Sequence, residues 1–472
     1  LIQTLLSDIN NDNLQTTIAT IKSTKLYQDK ESMKILMQSI GIFSKIRKKQ
    51  IHLYFDLIDD IISKIIENFN KIEIMSLFKK KDIHLKLFKD GIISIEDIAS
   101  YYGYENTKLS FFYPEMKSLF TKYPLYQEQM NDVQRFKNVI EMFSQKGSEN
   151  ISAKEDPRLQ VGNLDRLSIS IQNDDIDEFQ QILSLNNIDI QSHKINLNSF
   201  ESNKCLKEEK IYLIEYASYH GSLKIFKFLL MNNAPFSRLF LQYAICGGVN
   251  EIIHLAESAI KQGSIEQEME NILFNSVIFH RYDISEYLIN SYDIKLDSNC
   301  FSASLMRLNY SFFINHILEF EDEYNKLFEA SKKSDDPNVI SVYEKKRNEV
   351  TGCVLFSSGM VDSFFLKMFL NFENIDYNHS NEYIVNDSIM FNPLVFAIQS
   401  LNNNNNVKIL LSIESVDHNI KMMYNMSPFL WACYVGNFEI VELFINKYFH
   451  SKQIDWFNIL QITDESGENA LH

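Results

Sequence analysis

A chain of 472 residues with 45% hydrophobic and 13% aromatic side chains carries enough apolar surface for a large core, which excludes low-complexity disorder for most of its length. Only 7 prolines and 13 glycines argue for helices over a strand-and-turn fold. The net charge of −16 is unevenly placed: residues 1–150 carry 21 basic and 19 acidic side chains, the rest 25 and 43, and so acidic a surface repels a phosphate backbone.

Residues 1–150 have strong helical periodicity. Ile51, Tyr54, Phe55, Ile58, Ile61, Ile62, Ile65, Ile66 and Phe69 recur at three- and four-residue steps, opposite Asp59, Asp60, Lys64 and Glu67. Phe136, Val139, Ile140 and Phe143 form another stripe. The expectation is an N-terminal all-helical domain, 1–150, whose five to seven helices cap the first unit of a C-terminal array. The basic clusters Lys45-Ile46-Arg47-Lys48-Lys49 and Lys79-Lys80-Lys81 read as solvated helix faces among nearby carboxylates. A polar stretch from Gln145 to Pro157 marks the boundary.

From residue 151 the text becomes repetitive. Asn425-Met426-Ser427-Pro428-Phe429-Leu430-Trp431-Ala432-Cys433-Tyr434-Val435-Gly436 and the run through Ile445 read as a turn, a helix starting at Pro428, a glycine stop and a second amphipathic helix. One such hairpin cannot bury its own apolar face, so copies must stack on it. Aligned on a small residue of the first helix (Ala217, Ala244, Ser276, Ala397, Ala432), clear units fall near 211–236, 238–262, 270–295, 391–415 and 425–450, with weaker ones near Ser170–Leu183, Leu305–Leu318 and Ser357–Leu370. Residues 186–209 read as a long loop. Glu321–Gly352, with 14 charged residues, reads as an insertion on one face that could hold short solvated helices. The Asn402–Asn406 run reads as a soft, exposed link.

These segments resemble the ankyrin repeat. Ser427-Pro428-Phe429-Leu430 stands where that family has T-P-L-H, and Gly436-Asn437-Phe438-Glu439-Ile440-Val441-Glu442-Leu443 where it has G-H-L-E-I-V-E-V. Asp464-x-x-Gly467-x-x-Ala470-Leu471-His472 looks like the opening of a further, truncated unit. The stretch 213–230 is also similar to ankyrin-type segments of large protist families whose roles are mostly uncharacterised. The family's glycine is replaced at His280, Asn309, Val361 and Leu401. The resemblance implies an all-α helix-turn-helix solenoid over 151–472, preceded by the N-terminal helical cap.

Sought chemistry is mostly missing. There is no phosphate-cradling G-x-x-x-x-G-K-[ST] or G-x-G-x-x-G loop, no H-E-x-x-H and no paired C-x-x-C, so no cofactor or metal is expected. Asn173-Asp174-Asp175-Ile176-Asp177-Glu178 lacks the glycine of a calcium loop and reads as a charged helix start; His280-Arg281-Tyr282-Asp283 reads as an inter-helix turn. His220 and His254 are lone histidines with packing or surface roles. Five scattered cysteines fit reduced thiols in a cytoplasmic protein, and no apolar run reaches the about 18 residues of a membrane span.

The first helix carries aromatics at one position in the clearest units (Tyr216, Tyr243, Phe396, Trp431) and three residues on (Tyr219, Tyr434). Family members bind partners on the concave side of the stack, so these six are the candidate partner-binding residues; filling space between units is the competing role. The expected function is a non-enzymatic scaffold gripping a protein with a basic surface, without nucleic acid. The alternatives are the targeting arm of a larger enzyme whose catalytic part lies outside this chain, or a tether to the membrane cortex.

Overall fold

The computed structural model describes residues 1–103, 109–120, 156–159, 163, 165–197, 206, 210–260, 269–294, 296–379, 381–383, 389–400, 403–420, 426–450, 463, 464 and 469. Outside them lie the Phe136–Phe143 stripe, the 145–155 boundary, Cys205, Leu401 and most of the Asp464–His472 motif. The described chain is mostly helical. It divides into two compact units, Leu1–Ile294 and Lys295–His472.

The first unit opens with α1 (Ile2–Ser7), α2 (Leu14–Ser23), α3 (Lys25–Gln28), α4 (Lys30–Ile46), α5 (Ile51–Asn68), α6 (Lys71–Phe78), α7 (Lys81–Lys89), α8 (Ile95–Tyr102) and α9 (Tyr113–Phe120). Local chemistry sets their starts: Asp29 caps α4, while Asn70 with Glu73 and Ser94 with Asp97 form capping boxes on α6 and α8. Ile51, Tyr54, Ile58, Ile61 and Ile65 bury one face of α5, while Ile66 is left half-exposed. Helix α4 packs on α1, α5 and α6.

Helical hairpins come next: α10 (Arg166–Gln172) with α11 (Ile176–Leu185), α12 (Leu213–His220) with α13 (Leu223–Met231), α14 (Phe240–Gly247) with α15 (Asn250–Ala259), and α16 (Met269–Ile278) with α17 (Tyr282–Tyr292). First helices touch first helices, α10 on α12, α12 on α14 and α14 on α16. Second helices do likewise, α11 on α13 and α13 on α15. The small residues Ser170, Ala217, Ala244 and Ser276 are fully buried where this packing needs close approach. Each hairpin turns through one left-handed residue: Asp174, Gly221, Gly248 or His280. In three of them the next residue donates to the small residue's carbonyl, Asp175 to Ser170, Ser222 to Ala217 and Arg281 to Ser276, each at 2.9 Å, which is the Schellman closure. The expected long loop at 186–209 contains β1 (Lys194–Asn196), antiparallel to β2 (Lys210–Tyr212) with Ile195 opposite Ile211, and β2 runs straight into α12.

The N-terminal helices do not simply cap the first hairpin. Gln3 bonds His280 at 3.0 Å, Arg47 donates to the Phe279 carbonyl at 3.0 Å, and the Phe43 and His280 rings lie 4.7 Å apart. They therefore reach the turn of the fourth described hairpin. Residues 156–159, at the end of the expected linker, are also built in: Arg158 is buried and pairs with both Asp156 and Glu115.

The second unit contains α18 (Ser298–Met306) with α19 (Tyr310–Lys332), α20 (Pro337–Ser358) with α21 (Ser363–Phe369), β3 (Asn381–Tyr383) paired with β4 (Ile389–Phe391), α22 (Pro393–Gln399) with α23 (Asn404–Ser412), and α24 (Pro428–Val435) with α25 (Phe438–His450). The order of contact is the same: α18 on α20, α20 on α22, α22 on α24, and α21 on α23, α23 on α25. Ser304, Ala397 and Ala432 are fully buried. The left-handed residue of the α18–α19 turn is Leu308, one before Asn309, whose side chain instead caps α19.

Two expectations are corrected here. The charged 321–352 stretch is no looped insertion: it lengthens α19 and α20, which pack on each other through the buried Phe320, Tyr324 and Tyr343, with Lys346 buried beside Glu323 and most other charges at the surface. Within the Asn402–Asn406 run, of which Asn402 lies outside the described residues, Asn403 and Asn406 are buried and not an exposed link. Asn406 is fully buried and donates to the carbonyls of Ser357 (3.1 Å), Ser358 (3.1 Å) and Met360 (2.8 Å), and Asn403 donates to Ser358.

Candidate functional site

The six aromatic candidates part company in the structure. Tyr216 is 0% exposed and its hydroxyl accepts from Gln172 at 2.9 Å; Tyr243 and Trp431 are 2% and 5% exposed. These three are buried within the chain, and a group already surrounded by its own chain leaves little surface for another. Phe396 is half-buried against Gly359, where an added Cβ would lie 2.3 Å from its ring. Tyr434 is 73% exposed beside Trp431, ring centroids 5.6 Å apart, and Phe438 just past the Gly436 turn is 78% exposed. Tyr219 is half-buried and lines a cavity.

That cavity, of about 300 Å³, lies within the first unit. Its wall comes from α1 (Ser7), from the end of α4 and the 3-10 turn after it (Ile46, Arg47, Lys48, Lys49, Gln50), and from three hairpin turns (Tyr219, His220, Cys246, Gly247, Phe279, Arg281). Four lining side chains are cationic and none is a carboxylate. Arg47 donates to Phe279 O and, at 3.2 Å, to Ser7 Oγ; Arg281 Nη2 donates to Cys246 O (3.1 Å) and Gly247 O (2.8 Å). The buried Nε of Arg281 and Nε2 of His220 meet no hydrogen-bond partner.

Burial, together with nearby Arg47, pushes the Arg281 guanidinium down to about 9, and burial also lowers Arg47. His220 is held well below the ordinary imidazole range, by burial first and then by the charges of Lys49 and Lys48. Arg47 and Lys48 are thus not on a solvated face, although Lys49 is exposed. The sequence at 45–49 reads as one because nothing local shows that the chain after α4 turns onto hairpins some 200 residues away.

Other candidates lack a constellation. His254 is exposed beside Glu257, Cys246, Cys300, Cys353 and Cys433 carry no disulfide, and among the described residues no cluster of three or more His, Cys, Asp or Glu could hold a metal ion. No described helix is long and apolar enough to cross a membrane. No protein-family model matches the chain, and no curated protein sequence matches it.

Proposed function

We propose that this chain is a recognition scaffold of the ankyrin type: a helical stack that presents a fixed surface to a protein partner and performs no catalytic step itself. The observation that carries the reading is the serial packing of first helix on first helix and second on second, closed at buried small residues in both units. Short antiparallel strand pairs leading into α12 and α22 add support, since an ankyrin unit is a β-turn followed by two helices. With Tyr216, Tyr243 and Trp431 committed to packing, the contact falls to exposed aromatics at the hairpin turns, foremost Tyr434 and Phe438. The excess of acidic side chains after residue 150 favours a partner with a basic surface. A rigid stack loses little conformational entropy on docking, which is how many weak contacts add to useful affinity.

Quantitative affinity capture with the intact protein tests this, run beside the Tyr434→Ser/Phe438→Ser variant. A partner retained by the wild type and reduced roughly tenfold or more by the variant, at unchanged helicity, supports the reading. Equal recovery by both overturns the assignment of the surface.

A further inference from the structure

We infer that residues 46–50, together with α1, form a releasable cover over the hairpin turns of the first unit. The cover holds Tyr219, Cys246 and the ends of α14 and α16 closed to a protein partner whose recognition segment is basic, as the cover itself is. This rests on the protein-partner reading and adds a control on which turns are open.

Register identifies what is covered. In the second unit Met306, Gln399 and Tyr434 stand two residues past the small residue of a first helix, and all three are exposed (the fourth such position is Gly359). In the first unit the same position holds Tyr219, which is half-buried, and Cys246 and Ile278, which are buried. Tyr219 and Cys246 line the cavity whose wall includes Ile46, Arg47, Lys48, Lys49 and Gln50. The N-terminal helices come down on the turn face there.

The closure is thin. Arg47 donates to Phe279 O at 3.0 Å, Gln3 bonds His280 at 3.0 Å, and the Phe43 ring meets His280. Among the described residues no closely packed pair of helices joins an N-terminal helix to a hairpin helix. A cavity of about 300 Å³ lies at the boundary, where a packed interior leaves few voids larger than a water. Arg47 and Arg281 place like charges on its two sides, with Asp8 near Arg47 as an offset. Such a boundary opens at lower free energy than the elements it joins.

The chemistry of the cover indicates what replaces it. Arg47 donates to a helix-end carbonyl, as Arg281 does to Cys246 O and Gly247 O, and each helix end carries roughly half a negative charge. Residues 151–294 hold 12 basic and 20 acidic side chains. A partner segment bearing Arg or Lys fits the uncovered turns.

The test is alkylation of the intact, folded chain by N-ethylmaleimide, read at each native cysteine by mass spectrometry. Cys246 at the covered turn is the reporter, and the fully buried Cys353 of α20 is the reference. Arg47→Ala is expected to speed alkylation of Cys246 roughly tenfold or more with Cys353 unchanged. The synthetic peptide Phe43–His52, added to that variant at millimolar concentration, the order at which a tethered segment competes, then slows Cys246 again, and the same peptide with Arg47→Ala does not. If Arg47→Ala speeds both cysteines, Gln3→Ala decides, with Cys246 alone expected to speed up. Equal Cys246 rates in wild type and variant, or no protection by the peptide, overturns the proposal. No partner enters this assay, so its failure leaves the affinity-capture result for Tyr434 and Phe438 standing, and the reverse holds.

Discussion

The guanidinium of Arg47 donates to the carbonyl of Phe279 at 3.0 Å, joining the end of α4 to the turn of a hairpin 232 residues later. Side chains on a following element repeatedly hold the carbonyl end of an earlier first helix in the same way. Ser222 donates to Ile171, Arg281 to Cys246 and Gly247, and Asn406 to Ser357 and Ser358. Helix ends leave carbonyls without partners, and a stack can satisfy them from its neighbour.

Arg47→Ala should therefore loosen the N-terminal helices from the hairpins. Losing a charged donor to a part-buried carbonyl costs about 1–3 kcal/mol. Hydrogen exchange should rise in residues 2–7 and 41–50 and at 279–282, with 393–412 unaffected. Unchanged protection at both 41–50 and 279–282 would show that the bond does not hold them together.

Arg158 forms a buried node, paired to Glu115 at 2.6 Å and Asp156 at 2.7 Å, with Lys89 also on Asp156 at 2.9 Å. Burial pushes the Asp156 carboxyl up, but Arg158 and Lys89 more than reverse this and leave it below its ordinary value. Arg158→Met leaves Asp156 to Lys89 alone and takes the buried guanidinium from Glu115, and should cost about 3–5 kcal/mol in urea denaturation. A loss under about 1 kcal/mol would contradict the node.

A pH dependence follows from His84, which is fully buried in α7. Met75 O can only accept, so Nε2 carries the proton to it at 3.0 Å, and Nδ1 accepts from the Tyr102 hydroxyl at 2.7 Å. Burial lowers its pKa from 6.5 to about 4. The unfolded chain takes up the proton first as pH falls, so His84's contribution is full above about pH 6.5 and is lost progressively down to about pH 4. That interval corresponds to about 3 kcal/mol. Urea midpoints should fall across the window in the wild type and lose this part of their slope in His84→Gln. An identical slope in both would assign the effect elsewhere.

Asn406→Ala should cost about 1–3 kcal/mol, because it removes a buried donor shared by the carbonyls of Ser357, Ser358 and Met360 and leaves the Met360 carbonyl without that bond. Exchange at the end of α20 should rise together with that at the start of α23. A change confined to α23 would argue against the link.

What the sequence made legible was local. Pro428 behind Ser427 and the left-handed Gly436 mark both ends of α24, and buried small residues mark first helices, because capping and close packing leave chemical signatures within a few positions. Side chains whose role depends on a distant neighbour were misleading. Asn406 reads as part of a soft, exposed link and becomes a buried donor, while Arg47 and Lys48 read as a solvated face and line a cavity. The charges of 321–352 hid the length of two helices, although Tyr324 continues the buried stripe of Phe313, Ile317 and Phe320 at helical spacing, because charged residues fill most of the positions between. Tyr216 and Tyr434 both lie on first helices, yet one is fully buried with its hydroxyl on Gln172 of the preceding hairpin and the other is open to solvent.

The central claim is that the hairpins support one another in series. Gly247 offers the most direct test, since an added Cβ there would lie 2.1 Å from the Ser218 carbonyl of the preceding hairpin. Hydrogen exchange on intact Gly247→Ala protein should show protection falling in 240–259 and in the neighbours 213–231 and 269–292, with 393–450 as in the wild type. Loss confined to 240–259, or spread evenly over every hairpin, would contradict a nearest-neighbour stack.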